Sequence, residues 1–304
     1  MTDNQDSAKR EAIEADYSAA RIAELKLSPI VGNYDSDHLK ETHRRIFQDM
    51  PRLGYDDIKP GQFRSPVGEN EDWTKDRKLQ TQDTRYAVAY SNMDKKSTEA
   101  LDSVLKDADP KVLNSLNTRD FTNKIGDIYS KLDYIHPMSD GNSRSLREFT
   151  GQLAKDSGYN IDWGRFNKSN GGRDVLVIAR DISVNKQAIP NIKNESVLRR
   201  VKTSQDMLDG NRDLNDLLKD AVKPSRAIAF KEVVEGKLDH LKAIKEFPSL
   251  AKPLKSINAL ALQNAPEKEV KSAISIEVSK LEKGNSASSK EITKEIPKHV
   301  TQER

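Results

Sequence analysis

The segment at residues 118–135, TRDFTNKIGDIYSKLDYI, places Phe121, Ile125, Ile128, Tyr129 and Leu132 three or four residues apart. That spacing lines one face of an α-helix, and Thr118 suits its N-cap. The spacing recurs along the chain. Residues 6–27 carry a looser stripe of Ala12, Ile13, Ala19, Ile22 and Leu25, which Pro29 brings to an end. Residues 35–50 set Leu39, His43, Ile46 and Phe47 on one face, with Asp35 or Ser36 as N-cap. Residues 97–108 read as helix, and residues 143–158 as another, with Leu146, Phe149 and Leu153 inward and Gly158 as its stop. Residues 171–185 predict one more helix, although their valine-rich start also suits a strand. Pro51, Gly54, Pro60 and Gly61 mark a long connection. Residues 73–91 have β-propensity beside polar turns and predict a short hairpin.

The pattern changes near residue 190. Beyond it Phe230 and Phe247 are the only aromatic side chains, and helical segments such as residues 227–246 and 267–283 dominate. From Gly284 onward the chain is polar, with the composition of an unstructured tail. The pattern predicts an N-terminal helix over 1–30, a helical domain over 31–190, a helical region over 191–283 and a disordered tail over 284–304. The third of these suits either a docking or secretion-recognition module or an extension packed on the core. The fold class is all-α with a single short β-hairpin.

Composition narrows the function more than the fold. The chain has 304 residues with 35% hydrophobic and 33% charged side chains, so parts of it must be solvated helix. Lysine and arginine total 51 against 48 aspartate and glutamate, and a net charge of +3 gives no ground for nucleic-acid binding. With no cysteine, disulfides and thiol catalysis are excluded. No stretch approaches the ~18 apolar residues of a membrane span. The N-terminus lacks the apolar core of a signal peptide, which fits a cytoplasmic protein or one exported without a cleaved signal.

Residues 136–147, HPMSDGNSRSLR, concentrate the chemistry at a helix–loop–helix junction. A helix beginning near Asn142 exposes unpaired N–H groups and a positive dipole end in its first turn. Gly141 lets the chain turn tightly and lets a ligand approach the backbone, which makes an anion cradle. Arg144 and Arg147 project from one face of that helix and can reach phosphate oxygens. Asp140 is a hard-oxygen anchor for Mg²⁺ beside phosphates. His136 is suited to taking a proton near neutrality. Base, metal ligand, cradle and two cations make a phosphoryl- or nucleotidyl-transfer site.

The stretch resembles the signature of the Fic (Fic/Doc) family, H-P-F-x-(D/E)-G-N-G-R-x-x-R, matching at His136, Pro137, Asp140, Gly141, Asn142, Arg144 and Arg147. Residues 34–47 with the Gly-x-x-Arg ending at 61–64, residues 129–137 and residues 153–163 resemble the flanking segments of that family. The resemblance implies a Fic-type helical core with a hairpin flap. It implies transfer of AMP from ATP to a Ser, Thr or Tyr hydroxyl of a target protein, with Mg²⁺ as cofactor and pyrophosphate leaving. It makes His136 the base and Asp140 the ligand holding Mg²⁺ against the α- and β-phosphates. Gly141, Asn142 and Ser143 would cradle those phosphates with Arg144, and Arg147 would meet the γ-phosphate. A target segment would add to the edge of the flap, where Lys75 and Arg77 are the docking candidates.

Two positions depart from the signature. Met138 replaces Phe, an apolar exchange at a core anchor. Ser143 replaces the second Gly, where its side chain narrows the space beside the phosphates while its hydroxyl can donate a hydrogen bond. In the Doc branch this position is Lys and the transferred group is phosphate, so a Doc-like phosphotransferase is one alternative. A non-catalytic nucleotide-binding interaction protein is the other. Members of the family are often restrained by a helix bearing (S/T)-x-x-x-E-(G/N), whose Glu occupies the second Arg. Residues 65–70, SPVGEN, match the letters, but Pro66 and Gly68 disfavour a helix, so restraint is expected from a separate antitoxin-like protein.

Overall fold

The computed structural model describes residues 2–166, 171–263 and 265–292. The described residues form thirteen α-helices and two two-stranded sheets, the all-α architecture with a hairpin that the pattern predicts. They divide into two compact units, the first ending at Val222 and the second beginning at Lys223. No described helix is long and apolar enough to cross a membrane.

The centre of the first unit is α5 (Thr118–Ile135). Phe121, Ile125, Ile128, Tyr129 and Leu132 are all 0% exposed, so the whole predicted stripe is core. Burying each such side chain contributes about 1.5–3 kcal/mol. Its N-cap is Asn117, whose side chain accepts the Asp120 N–H at 3.0 Å, one residue before the expected Thr118. Around α5 pack α3 (Lys95–Lys106), α6 (Asn142–Asp156) and α7 (Gly172–Ala188), the last helical from its valine-rich start. α2 (Ser36–Phe47) lies on α6, capped by Asp35 as expected. α1 (Thr2–Leu27) lies on α2, where Leu25, Ile30, Ile46, Phe47, Met50 and Ile58 form a shared core.

The predicted hairpin is β1 (Trp73–Lys78) and β2 (Arg85–Tyr90), antiparallel with Trp73 opposite Tyr90 and Lys78 opposite Arg85. β2 is the buried strand because α7 and α8 (Glu195–Leu208) close its outer edge with side chains. The Ala89 N–H donates to Asn185 Oδ1, Asn185 Nδ2 donates to the Ala87 carbonyl, and the Ala87 N–H donates to Ser204 Oγ, at 2.8–3.1 Å. A second small sheet pairs β3 (Tyr159–Ile161) with β4 (Val222–Pro224), the short strand on which the first unit ends.

The first unit therefore runs past the residue-190 boundary expected from composition. α9 (Leu214–Ala221) buries Leu214, Leu217 and Leu218 and packs on α5 and α7. Gly126 permits that approach, since a β-carbon there would meet the Asn215 amide oxygen at 1.9 Å and Leu218 at 3.3 Å. The second unit has its own core of Phe230, Leu250, Leu254 and Ile257, covered by Val270, Ile274, Val278 and Leu281 of the last helix, Glu267–Ile292. Residues 284–292 continue that helix instead of beginning the expected tail, and residues 293–304 lie outside the described residues. Gly284 is the only glycine or proline in it, and one interior glycine, costing about 1 kcal/mol, does not stop a helix already nucleated by packed turns.

His38 and His43 are buried on α2, at 4% and 0% exposure. Burial lowers both from the ordinary imidazole value, His43 to about 4. The unfolded chain, titrating near 6.5, binds more protons than the folded one between about pH 6.5 and 4, so stability rises with pH across that window. The urea midpoint at pH 5 is expected to fall below that at pH 7.5, and an equal or higher midpoint would contradict neutral burial of these rings.

Candidate active site

The C-terminus of α5 delivers His136. The residue is the helix C-cap in the left-handed conformation, φ 50° and ψ 59°, which costs a non-glycine residue about 1–3 kcal/mol. Arg64 holds it there. Arg64 Nε donates to the His136 carbonyl at 2.8 Å, Nη2 donates to the Ser91 carbonyl at 2.5 Å, and the Arg64 N–H donates to the Pro137 carbonyl at 2.8 Å. The guanidinium lies 3.4 Å from the centroid of Trp73 on β1. His136 is then confined between Tyr90, 3.8 Å between ring centroids, and Trp73, edge-on at 5.4 Å.

The ring is buried, and Nδ1 faces the Asp133 carbonyl at 3.3 Å and the Asp133 carboxylate at 3.8 Å. Both partners are acceptors, so Nδ1 carries the proton and Nε2 keeps its lone pair. Nε2 makes no hydrogen bond among the described residues. Burial, helped by the charges of Lys75 and Arg77 and opposed by Asp133, lowers the imidazole to about 4. His136 is therefore neutral near pH 7, the form that accepts a proton.

Two contacts shape the loop between α5 and α6. Asn142 is buried, and its amide closes on the Met138 backbone, accepting the N–H at 2.9 Å and donating to the carbonyl at 2.8 Å. His43 accepts the Gly61 N–H at 2.9 Å on Nδ1 and donates from Nε2 to the Asp140 carbonyl at 3.1 Å. Gly141 is the N-cap of α6 with φ 73°, and a β-carbon there would stand 2.3 Å from the Phe47 ring. Both facts demand glycine. No side chain caps α6, so its first-turn N–H groups stay available to an anion.

The arginines are not equivalent. The Arg144 guanidinium pairs with Glu14 of α1, donates to Ser18 Oγ at 3.0 Å and lies 4.7 Å from the Phe47 ring centroid. Arg147 donates from Nε to the Ser143 carbonyl at 3.2 Å and has no ion pair among the described residues. Ser143 Oγ is 2.8 Å from Nη1 of Arg180 on α7, whose other nitrogens hold Asp133 at 2.8 and 2.9 Å.

The model of the Fic/DOC family matches residues 33–154. These residues are a Fic/DOC domain. The chain is 26% identical over 205 residues to the protein adenylyltransferase VbhT of Bartonella schoenbuchensis, a match over 66% of this chain and 38% of the relative. It thus spans about two fifths of that relative's length. Solved structures with similarity include the N-terminal Fic domain of a VirB-translocated Bep effector from Bartonella quintana with bound ADP. That match has 17% identity and TM-score 0.46, covering 73% of this chain and 88% of that one. BepC from Bartonella tribocorum with bound AMPPNP matches with 15% identity and TM-score 0.46, covering 71% and 88%.

The Fic domain brings His136, Asp140, Gly141, Asn142, Ser143, Arg144 and Arg147 to one junction, with Met138 buried beneath it. Asn142 offers its backbone there, since its side chain is spent on Met138. Lys75 lies over the Trp73 ring at 5.4 Å. Arg77 points inward, donating to Asp181 and to the Tyr90 hydroxyl at 3.2 and 2.5 Å, which commits it to fastening the flap to α7. Asp140 is exposed, with one oxygen on the Gly141 N–H at 2.6 Å and the other free of hydrogen bonds among the described residues. No group of three or more potential ligands occurs among the described residues. One exposed carboxylate beside an anion cradle fits Mg²⁺, which shares its coordination with phosphates and water.

Sequence reasoning missed Glu14, His43, Arg64, Asp133 and Arg180. Asp133 stands one turn before His136 and Arg64 ends the Gly-x-x-Arg segment, so both carried a signal. Glu14 and Ser18 are buried, while Ala12 and Ala19 of the expected stripe are exposed, because the inner face of α1 meets Arg144. A carboxylate within the chain thus occupies Arg144, which a bound phosphate would have to share or displace. Releasing an ion pair worth about 1 kcal/mol corresponds to about fivefold in affinity. Glu14→Ala is expected to tighten binding of a non-hydrolysable ATP analogue by that factor in calorimetry, and unchanged affinity would show that the pair does not compete.

Proposed function

We propose that this Fic domain is a protein adenylyltransferase, moving AMP from ATP to a hydroxyl of a target protein. The observation that carries the reading is the neutral His136, its Nδ1 occupied and its Nε2 unbonded, at the mouth of an uncapped helix bearing two arginines. The target hydroxyl oxygen attacks the α-phosphorus while its proton passes to His136 Nε2. The bond from the α-phosphorus to the bridging oxygen breaks, and pyrophosphate leaves with the electron pair. The first-turn N–H groups of α6 and the two arginines hold the phosphates so that only the α-phosphorus faces the base. Asp140 would hold Mg²⁺, which when bound neutralises phosphate charge.

The flap supports a protein as acceptor. Ala87 and Ala89 direct their N–H groups away from β1, to Ser204 and Asn185. Their opposite residues, Asp76 and Thr74, therefore direct their own backbone groups outward, leaving β1 as the open edge. An extended segment can pair there through backbone hydrogen bonds, which would register a hydroxyl without a particular side-chain sequence.

The test is transfer of label to protein from α- and γ-labelled ATP run in parallel with Mg²⁺. Label is expected from the α position alone, and His136→Ala should lower the rate by about 100-fold or more while nucleotide binding persists. Label from the γ position alone would replace adenylyl transfer by phosphoryl transfer. Nucleotide binding without transfer to any protein would replace it by a binding role.

A further inference from the structure

Arg180 lies 33 residues beyond Arg147, outside the signature and outside residues 33–154, yet it reaches both ends of the site. It is 4% exposed and Asp133 is 1% exposed. Two of its nitrogens grip the two Asp133 oxygens at 2.8 and 2.9 Å, and the third meets Ser143 Oγ at 2.8 Å. Asp133 in turn presents its carbonyl and its carboxylate to His136 Nδ1. One guanidinium thus joins the residue behind the base to the serine that stands where the family has glycine.

We propose that Arg180 is a positioning residue. It fixes Asp133 so that His136 is held as the Nδ1–H tautomer, and it draws the Ser143 hydroxyl out of the phosphate cradle. The proposal rests on the adenylyl-transfer reading for its kinetic consequences alone. A buried ion pair is a poor source of net stability, because desolvation offsets most of its attraction, so its retention calls for another explanation. Orientation supplies one. Burial by itself would raise the Asp133 carboxyl, and Arg180 together with His136 more than reverses this, so the carboxylate stays ionised below its usual range. An ionised Asp133 beside Nδ1 also stabilises the imidazolium that forms when Nε2 takes the proton of the acceptor hydroxyl. With the hydroxyl of Ser143 accepting from Arg180, Ser143 adds a side chain to the cradle without aiming an oxygen lone pair at the phosphates.

The experiment uses the full chain with ¹⁵N-labelled histidine. Imidazole nitrogen shifts distinguish the two tautomers, and the His136 signals are assigned by their loss in His136→Ala. In the wild type Nδ1 is expected to be protonated and Nε2 bare near pH 7.5. In Arg180→Met the single tautomer is expected to give way to a mixture, kcat for transfer to fall at least tenfold, and the KM for ATP to change less than threefold. Arg180→Lys, which can serve only part of the network, should fall between the two. If Arg180→Met does not fold, the isosteric Asp133→Asn is read in its place, with the same expected loss of the single tautomer. A wild-type-like ring pattern in the folded variant would overturn the proposal whatever the rate. If the wild type transfers no AMP, the ring pattern still decides the positioning role, so failure of the enzymatic reading is told apart from failure of this one.

Discussion

The Arg64 guanidinium is the contact on which the site depends. A helix ends in carbonyls without intrahelical partners and carries a partial negative charge there. At the end of α5 the Ile135 and His136 carbonyls converge on Arg64, at 3.3 and 2.8 Å, together with that of Ser91 at the end of the flap. This clamp stabilises His136 in a left-handed turn that a branched or aromatic residue does not take unaided. The same guanidinium stacks on Trp73 of the flap. The strand that would receive a target and the imidazole that would deprotonate it are therefore registered by one side chain, contributed from the connection that precedes the flap.

Around that anchor, burial and charge set the protonation of the imidazole. Burial, with Lys75 and Arg77, lowers the proton affinity of His136, while Asp133 raises it and is itself held ionised with the help of Arg180. The two flap cations thus help to keep the imidazole unprotonated. Phosphates bound in the cradle would bring negative charge that opposes those cations, which would move the imidazole toward proton uptake. Glu14 stands in this field as a carboxylate already on Arg144, so α1 belongs to the electrostatics of the site as well as to its core.

Read from the signature alone, Ser143 is open to two meanings, an obstruction or a donor to phosphate. The fold adds a third. Its hydroxyl accepts from Arg180, a residue far along the chain that no local motif connects to it. The departure from glycine and the buried Arg180–Asp133 pair then belong to one network. Similarly, Gly141 is glycine for two independent reasons, its positive φ, which a turn suggests, and the Phe47 ring, which only packing shows.

By itself the sequence determined the helices, the hairpin and the residues of the junction, because helical spacing, β-propensity and the fixed spacing from His136 to Arg147 are local properties. It also determined that α5 is buried, since an unbroken stripe of five large apolar side chains has no other stable place. Tertiary structure alone decided what those side chains face. It turned the inner side of α1 into Glu14 and Ser18 against Arg144, and it committed Arg77 to Asp181. It also carried the first unit to Val222 through the close approach of α9 to Gly126. Partners of a buried charge come from distant segments, and nothing in the spacing along the chain records which segment supplies them.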